Sequence, residues 1–354
     1  MVNFFDTWKK KICTIDMALI AVLTLLASFI GSWLKQYPGF RLLGALIIAL
    51  LVGMALQLPL HAYKKNNDLR RAGVKSAAGL IANKLLRLGI ILLGFNLNLH
   101  DLFTEGIKCL PIAAVLVAVM VCITYTIAKL LKVNPQLAML TAGGTSICGA
   151  AAVMGLSGSM PVLPEEEDEK EQNEVMAVAT VAIMGTIYAL AEIFILPHFG
   201  MSTQQLCITA GASLHEIAHA VAAGGAFNNI HVATIMKLAR VLMLVPASIF
   251  IAIWWNARHS KVENGGKHKI SFPWFMLGFI AASVIGTYVP FITAHTTTLV
   301  AAGYVFLGMA MAALGINVNF KVIFKKGRAA FAASFLASIV LVILACAAAK
   351  IFFV

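Results

Sequence analysis

Thr141 to Gly155 reads TAGGTSICGAAAVMG, and Thr209 to Gly224 reads TAGASLHEIAHAVAAG. Both stretches are apolar enough to sit in a bilayer, yet both interrupt the apolar run with glycines and hydroxyls. The first carries Gly143, Gly144, Thr145 and Ser146; the second carries Gly211 and Ser213. Glycine inside a helix costs about 1 kcal/mol relative to alanine, so the pair predicts two helices broken in mid-segment. Close helix packing explains small residues by themselves, but glycines together with hydroxyls in both copies point to a polar site. An apolar span follows each copy, at 175–197 and 232–255.

The rest of the chain is also built for a bilayer. Of its 354 residues 60% are hydrophobic and 12% charged, with a mean hydropathy of +0.90, far from the mix of a soluble domain. Runs long enough to span a hydrocarbon core fall near 16–34, 41–60, 76–98, 109–131, 136–158, 175–197, 206–226, 232–255, 272–290, 297–319 and 329–352. The expected fold is an all-α polytopic membrane protein of about 9–11 transmembrane segments, with residues 1–354 as a single integral membrane domain. EEEDEKEQNE at 165–174 is read as part of a solvated acidic loop over 161–174. The first run follows Lys9, Lys10 and Lys11, but its length and lack of a small-residue cleavage site make it a retained span. The six cysteines show no paired spacing and read as packing residues.

The net charge of +12 reports topology rather than nucleic-acid binding. Cationic clusters occur at Lys9–Lys11, at Lys64, Lys65, Arg70, Arg71 and Lys75, from Arg258 to Lys269, and from Lys321 to Arg328. The positive-inside rule puts all four in the cytoplasm if the N-terminus is cytoplasmic, which leaves the C-terminus external. LGFNLNLHDLFTEG (93–106) aligns without a gap on LGINVNFKVIFKKG (314–327), and the charges place the two loops on opposite faces. That is an inverted repeat, the usual signature of a secondary transporter. One symmetry covers both repeats if segments 136–158 and 206–226 are re-entrant hairpins that enter from opposite faces. Loop charges do not distinguish hairpins from crossings.

Non-helical backbone at membrane depth must be buried in protein or face water. Half-helices starting after Gly143–Ser146 and Gly211–Ser213 would turn free N–H groups toward an anion, with Thr145, Ser146 and Ser213 as hydroxyl donors. Ionisable residues inside spans default to functional candidates: Lys84, Arg87, Glu192, His215, Glu216, His219, Lys237 and Arg240. Lys84 and Lys237 lie near span ends, where snorkelling explains them. Arg87 and Arg240 are deeper, suited to a substrate anion or to pairing with Glu216 or Glu192.

HEIAH at 215–219 matches H-E-x-x-H, in which two histidines one helical turn apart hold zinc. A third ligand is hard to find. After residue 219 there is no Asp and Glu263 is the only Glu, in a polar loop. A proton-responsive site fits better, with His215, Glu216 and His219 coupling protonation to transport.

LLRLGIILLGF (85–95), GTSICGAAAV (144–153), VATVAIMGTIYAL (178–190), GASLHEIAHAVAAG (211–224), KLARVLMLVPASI (237–249), FPWF (272–275) and LGMAMAALGINV (307–318) together closely resemble the YeiH-type family of bacterial inner-membrane proteins, described as sulfate exporters. The resemblance spans roughly residues 40–350. It implies ten or eleven transmembrane segments and kinship with cation/proton antiporters, bile acid symporters and citrate carriers, in which broken helices or hairpins form the substrate site. The family's Gly-Thr-Ser-Ile-Cys-Gly stretch falls on Gly144–Gly149, its His-Glu pair on His215 and Glu216, and its arginines on Arg87 and Arg240. His219 departs from relatives that often carry glutamine, which weakens the zinc reading. The expected activity is transport of a small anion of the sulfate, sulfonate or carboxylate class, with cation/proton antiport through Glu216 and an intramembrane zinc protease as alternatives. Expected sites are Gly143, Gly144, Thr145, Ser146, Ser213, Arg87 and Arg240 for substrate, and His215, Glu216 and His219 for coupling. The implied partners are the anion, H+ or Na+, the bilayer of the bacterial inner membrane and, as one option, a second copy in a homodimer. No metal, cofactor, nucleic acid or enzymatic activity is implied.

Overall fold

The computed structural model describes residues 14–37, 40, 44–64, 68–104, 106–160, 162, 164–259, 274–317 and 320–353. Helix α1 (Ile15–Leu34) starts where the Thr14 hydroxyl accepts the Met17 amide, with Asp16 in the first turn. It is followed by α2 (Gly44–Ala55), α3 (Gln57–Lys64) and α4 (Asp68–Leu93), which ends in a 3-10 turn at Gly94–Asn96. Short α5 (Leu99–Thr104) leads into α6 (Cys109–Leu130). The first interrupted segment forms α7 (Pro135–Ser146) and α8 (Ala150–Ser157), and α9 (Glu167–Ile195) separates it from the second, α10 (Thr203–Ser213) and α11 (Ile217–Ala226). The chain continues through α12 (Ile230–Leu242), α13 (Leu244–His259), α14 (Trp274–Tyr288), α15 (Pro290–Thr293), α16 (Thr296–Asn317) and α17 (Phe320–Phe352).

Both interrupted segments are hairpins. Helices of 12 and 8 residues, and of 11 and 10, reach only about 12–18 Å each, too little to cross a core of about 30 Å. In the first, Leu156 packs on Gly143 and Val153 on Gly144, so α8 runs back antiparallel along α7. In the second, Gly211 and Gly224 both lie against Ala233 of α12. Residues on either side of a break in a straight helix could not share that neighbour.

The two hairpins open toward opposite ends of α9. At its start, Asn173 Nδ2 donates to Gln136 Oε1 at 2.8 Å and the Ser157 hydroxyl donates to Glu174, which pins the base of the first hairpin. Gly185, about 16 Å further along at 1.5 Å per residue, touches His219 and His215 near the turn of the second hairpin. The base of the second hairpin lies at the far end of α17, where Gln205 Nε2 donates to Phe353 O at 3.0 Å. Both turns therefore sit at mid-helix depth.

Seven described stretches are long and apolar enough to cross a membrane, and two shorter apolar helices, Ile48–Leu60 and Leu277–Tyr288, accompany them. With the two hairpins counted apart, the eleven apolar runs of the sequence leave nine, of which seven, among the described residues, form helices long enough to cross a membrane. The protein is an all-α polytopic membrane protein.

Internal packing divides the chain into two units: 1–96 with 278–319, and 97–277 with 320–354. The first unit is closed by small residues at helix crossings, Gly53 against the Ala312 carbonyl and Gly315 against that of Leu50. The second contains both hairpins, α6, α9, α12 and most of α17's contacts with them. Two of the divisions fall within the aligned stretches 93–106 and 314–327, after Asn96 and before Phe320.

The expectation of an acidic loop over 161–174 is corrected: residues 164–166 form a 3-10 turn and α9 begins at Glu167. Glu167, Asp168 and Glu169 occupy its first turn, where negative charge favours a helix start, and Asn173 and Glu174 are buried. The clusters at Lys9–Lys11 and Lys261–Lys269 lie outside the described residues.

Candidate functional site

The hairpin turns, Ile147–Gly149 and Leu214–Glu216, touch. Gly149 packs against the His215 carbonyl and the Glu216 side chain, where an added Cβ would lie 3.1 Å from each. Its φ of +72° and ψ of −134° belong to a region that glycine alone enters freely. This glycine lets α7 turn into α8 within three residues while its backbone approaches the other hairpin.

Two opposite helix polarities meet here. Helices α7 and α10 arrive with their C-terminal carbonyls, while α8 and α11 leave with their N-termini. Helix α12 neutralises the carbonyl ends. Lys237 Nζ donates to Ile147 O at 3.0 Å and to Leu214 O at 2.7 Å, one carbonyl from each hairpin. Arg240 also bridges them, donating from Nη1 to Leu214 O at 3.0 Å and from Nη2 to Ser146 O at 2.7 Å. Both side chains are 0% exposed. Burying two cations is costly unless their hydrogens are satisfied and counter-charge is close; the carbonyls take the Lys237 ammonium and both terminal nitrogens of Arg240, whereas Arg240 Nε has no hydrogen-bond partner among the described residues. Neither N-terminal end is capped by a side chain, since the N-cap residues of α8 and α11, Gly149 and Glu216, make no such bond.

Helix α17 braces both hairpins through hydroxyls one turn apart. Ser334 Oγ lies 2.8 Å from Thr145 Oγ1, and Ser338 Oγ lies 3.2 Å from His215 Nε2. Helix α9 is tied to α17 by Tyr188, whose hydroxyl donates to Phe335 O at 2.8 Å.

The chain matches the family described as "Conserved hypothetical protein 698" over residues 17–334. It is 63% identical over 354 residues to a UPF0324 membrane protein of Bifidobacterium longum, covering all of both chains. A Lactobacillus johnsonii homologue is 46% identical over 96% of this chain and 98% of its own, and one from Bacillus cereus 37% over 91% and 88%. The chain belongs to this UPF0324 family. It is the YeiH-type family whose motifs the sequence resembles. No solved structure matches.

In this UPF0324 protein the predicted residues are distributed unevenly. Thr145, Ser146, Ser213, His215, Glu216, His219 and Arg240 are all buried around the hairpin turns. Gly143 and Gly144 form the packing seam of the first hairpin. Among the hydroxyls, Thr145 is engaged with Ser334 and Ser213 with Thr209 O at 2.7 Å, whereas Ser146 Oγ is buried with no hydrogen-bond partner among the described residues. Arg87 is exposed on α4 of the first unit and is not among the residues buried around the turns.

The stretches Gly143–Ser146 and Gly211–Ser213 end the incoming helices, and the half-helices with inward N-termini start after them, at Ala150 and Ile217. Two expectations change. Lys237 does not reach an outer interface; its ammonium is spent on hairpin carbonyls. The H-E-x-x-H pattern does not lie on one helix, because His215 and Glu216 precede α11 and only His219 is within it. The one-turn stacking of imidazoles that the zinc reading requires is absent. Among the described residues no three His, Cys, Asp or Glu side chains are grouped to hold a metal ion.

Sequence reasoning placed Gly149 only as the end of the Gly144–Gly149 stretch, without its role in the turn, and missed Gly185 and the serine pair of α17. Ser334 and Ser338, four residues apart in an apolar helix, were a legible signal for one polar stripe.

Proposed function

We propose that this protein is a secondary transporter of a small anion of the sulfate, sulfonate or carboxylate class. The contact of the two hairpin turns carries this reading: it brings the open N-termini of α8 and α11 together while Lys237 and Arg240 offset the carbonyl ends. An anion there meets backbone N–H donors, two positive helix ends and the buried Ser146 hydroxyl. The second unit, which holds both hairpins, is the carrier body. In the inner membrane with a cytoplasmic N-terminus, the α7–α8 hairpin opens inward and the α10–α11 hairpin outward.

Glu216 supplies the coupling. As the N-cap residue of α11, its carboxylate and a substrate anion compete for the same positive end, so protonation of Glu216 favours anion entry. His215 and His219 line the same turn. A cation/proton antiport reading is favoured by one observation, the buried Glu216 Oε1 that has no hydrogen-bond partner among the described residues.

Thermal unfolding of the purified protein against sulfate, sulfonates, carboxylates and chloride decides between them. A ligand bound only by the folded state raises the midpoint. Stabilisation by an oxyanion is the expected result, and a flat response to every anion favours antiport.

A further inference from the structure

Unwound carbonyls and half-helix C-termini at the centre of a carrier are the places where Na+ is bound in sodium-coupled transport. Here that position is filled by side chains. We infer that Lys237, with Arg240, is a built-in cation that replaces an alkali-metal coupling ion at the hairpin C-termini, so that the carrier requires no Na+. The inference deepens the carrier reading by excluding one of its two coupling ions.

The geometry favours an ammonium in a cation's place over a merely buried lysine. Lys237 Nζ takes one carbonyl from each hairpin, Ile147 O and Leu214 O, at 3.0 and 2.7 Å. Arg240, one turn further along α12, takes Leu214 O and Ser146 O. Leu214 O is thus shared by both cations, and all three carbonyls lie at the C-terminal ends of α7 and α10, Ser146 as the last residue of α7 and Ile147 and Leu214 as the C-caps, where helix dipoles concentrate negative charge. Arginine is permanently charged. A metal ion at the same carbonyls would have to displace Nζ and would face two positive neighbours instead of one. Gly211 of α10 lies against the Lys237 backbone nitrogen, so α12 approaches closely enough for both side chains to reach across. A fixed ammonium does in every transport state what sodium does only when bound, and it also ties the two turns into one body.

The test is thermal unfolding of the full-length protein in NaCl, KCl, choline chloride and methylammonium chloride at equal ionic strength. Wild type is expected to unfold at the same temperature in all four. Lys237→Ala is expected to unfold lower in choline and to recover by ~3 °C or more in Na+ or methylammonium, because a small cation refills the position. Lys237→Gln, which retains a donor, serves if the alanine variant does not fold. Sodium-specific stabilisation of wild type overturns the inference. So does a Lys237→Ala protein as stable as wild type, or failure of both variants to fold or recover in any of the four salts. The anion screen is a separate readout: a flat anion response removes the carrier reading without changing the cation result.

Discussion

Gly149 lies against Glu216 across the junction of the two hairpins, and a Cβ at position 149 would stand 3.1 Å from Glu216 Cγ. Gly149→Ala therefore meets two obstacles, the close approach and a backbone with φ of +72°. Strain of this kind costs about 1–3 kcal/mol. The expected outcome is a folded protein with a lowered unfolding midpoint that no longer responds to the stabilising anion, because the turns are pushed apart. A variant that keeps the full anion response would show that contact of the turns is unimportant.

Gly185 separates packing from function more cleanly. An added Cβ would lie 2.8 Å from His219 Cε1 and 2.9 Å from Nδ1, the far end of a side chain, and 3.2 Å from His215 Cβ, which has to give by only a few tenths of an ångström. Alanine also suits a helix better than glycine. Gly185→Ala is thus expected to change stability by less than about 1 kcal/mol while it displaces the imidazole from α9. Anion-induced stabilisation measured across pH is expected to change although the unliganded midpoint does not; an unchanged pH profile would remove His219 from the coupling set.

The hairpins were legible because glycine inside an apolar segment is costly enough to need a reason, and two matched stretches supplied one. The seven long apolar helices were legible from apolar length. What the sequence did not show is which side chains meet across 90 residues or more: Lys237 with Ile147, or Thr145 with Ser334. A lysine near a span end has the same local pattern whether it snorkels or turns inward, and only the position of the hairpin turns decides. The acidic run at 165–174 misled for a related reason. Composition marks it as solvated, but acidic residues also favour a helix start, and its last residues, Asn173 and Glu174, anchor the base of the first hairpin.

Arg240 holds carbonyls from both hairpins through a planar fork. Lysine carries the charge but cannot span Leu214 O and Ser146 O in that way. Arg240→Lys is expected to lower the midpoint. Arg240→Met, which leaves buried carbonyls without a charged donor at about 1.5–3 kcal/mol for such a bond, is expected to lower it further. Equal midpoints for wild type and Arg240→Met would mean that the fork contributes nothing to joining the hairpins.

Glu216 gives the sharpest test of coupling. Its backbone caps α11, and on the carrier reading an ionised carboxylate there competes with a bound anion for the same positive helix end. Proton uptake at Glu216 then accompanies anion binding, and the sign follows directly. Affinity is highest at low pH and falls as pH rises, by about tenfold per pH unit where one proton is exchanged. Glu216→Gln stays neutral at every pH. It is expected to bind the anion at high pH as tightly as wild type does at low pH, with a nearly flat profile. Other titratable groups around the turns, His215, His219, Cys148, Glu192 and Lys237, remain in this variant and set whatever slope is left. Isothermal titration of wild type and Glu216→Gln with the stabilising anion across pH measures that slope. An undiminished slope in the variant would move the coupling proton to one of those five groups, with Glu192, the other buried carboxyl near Ser213 and Arg240, as the next to replace.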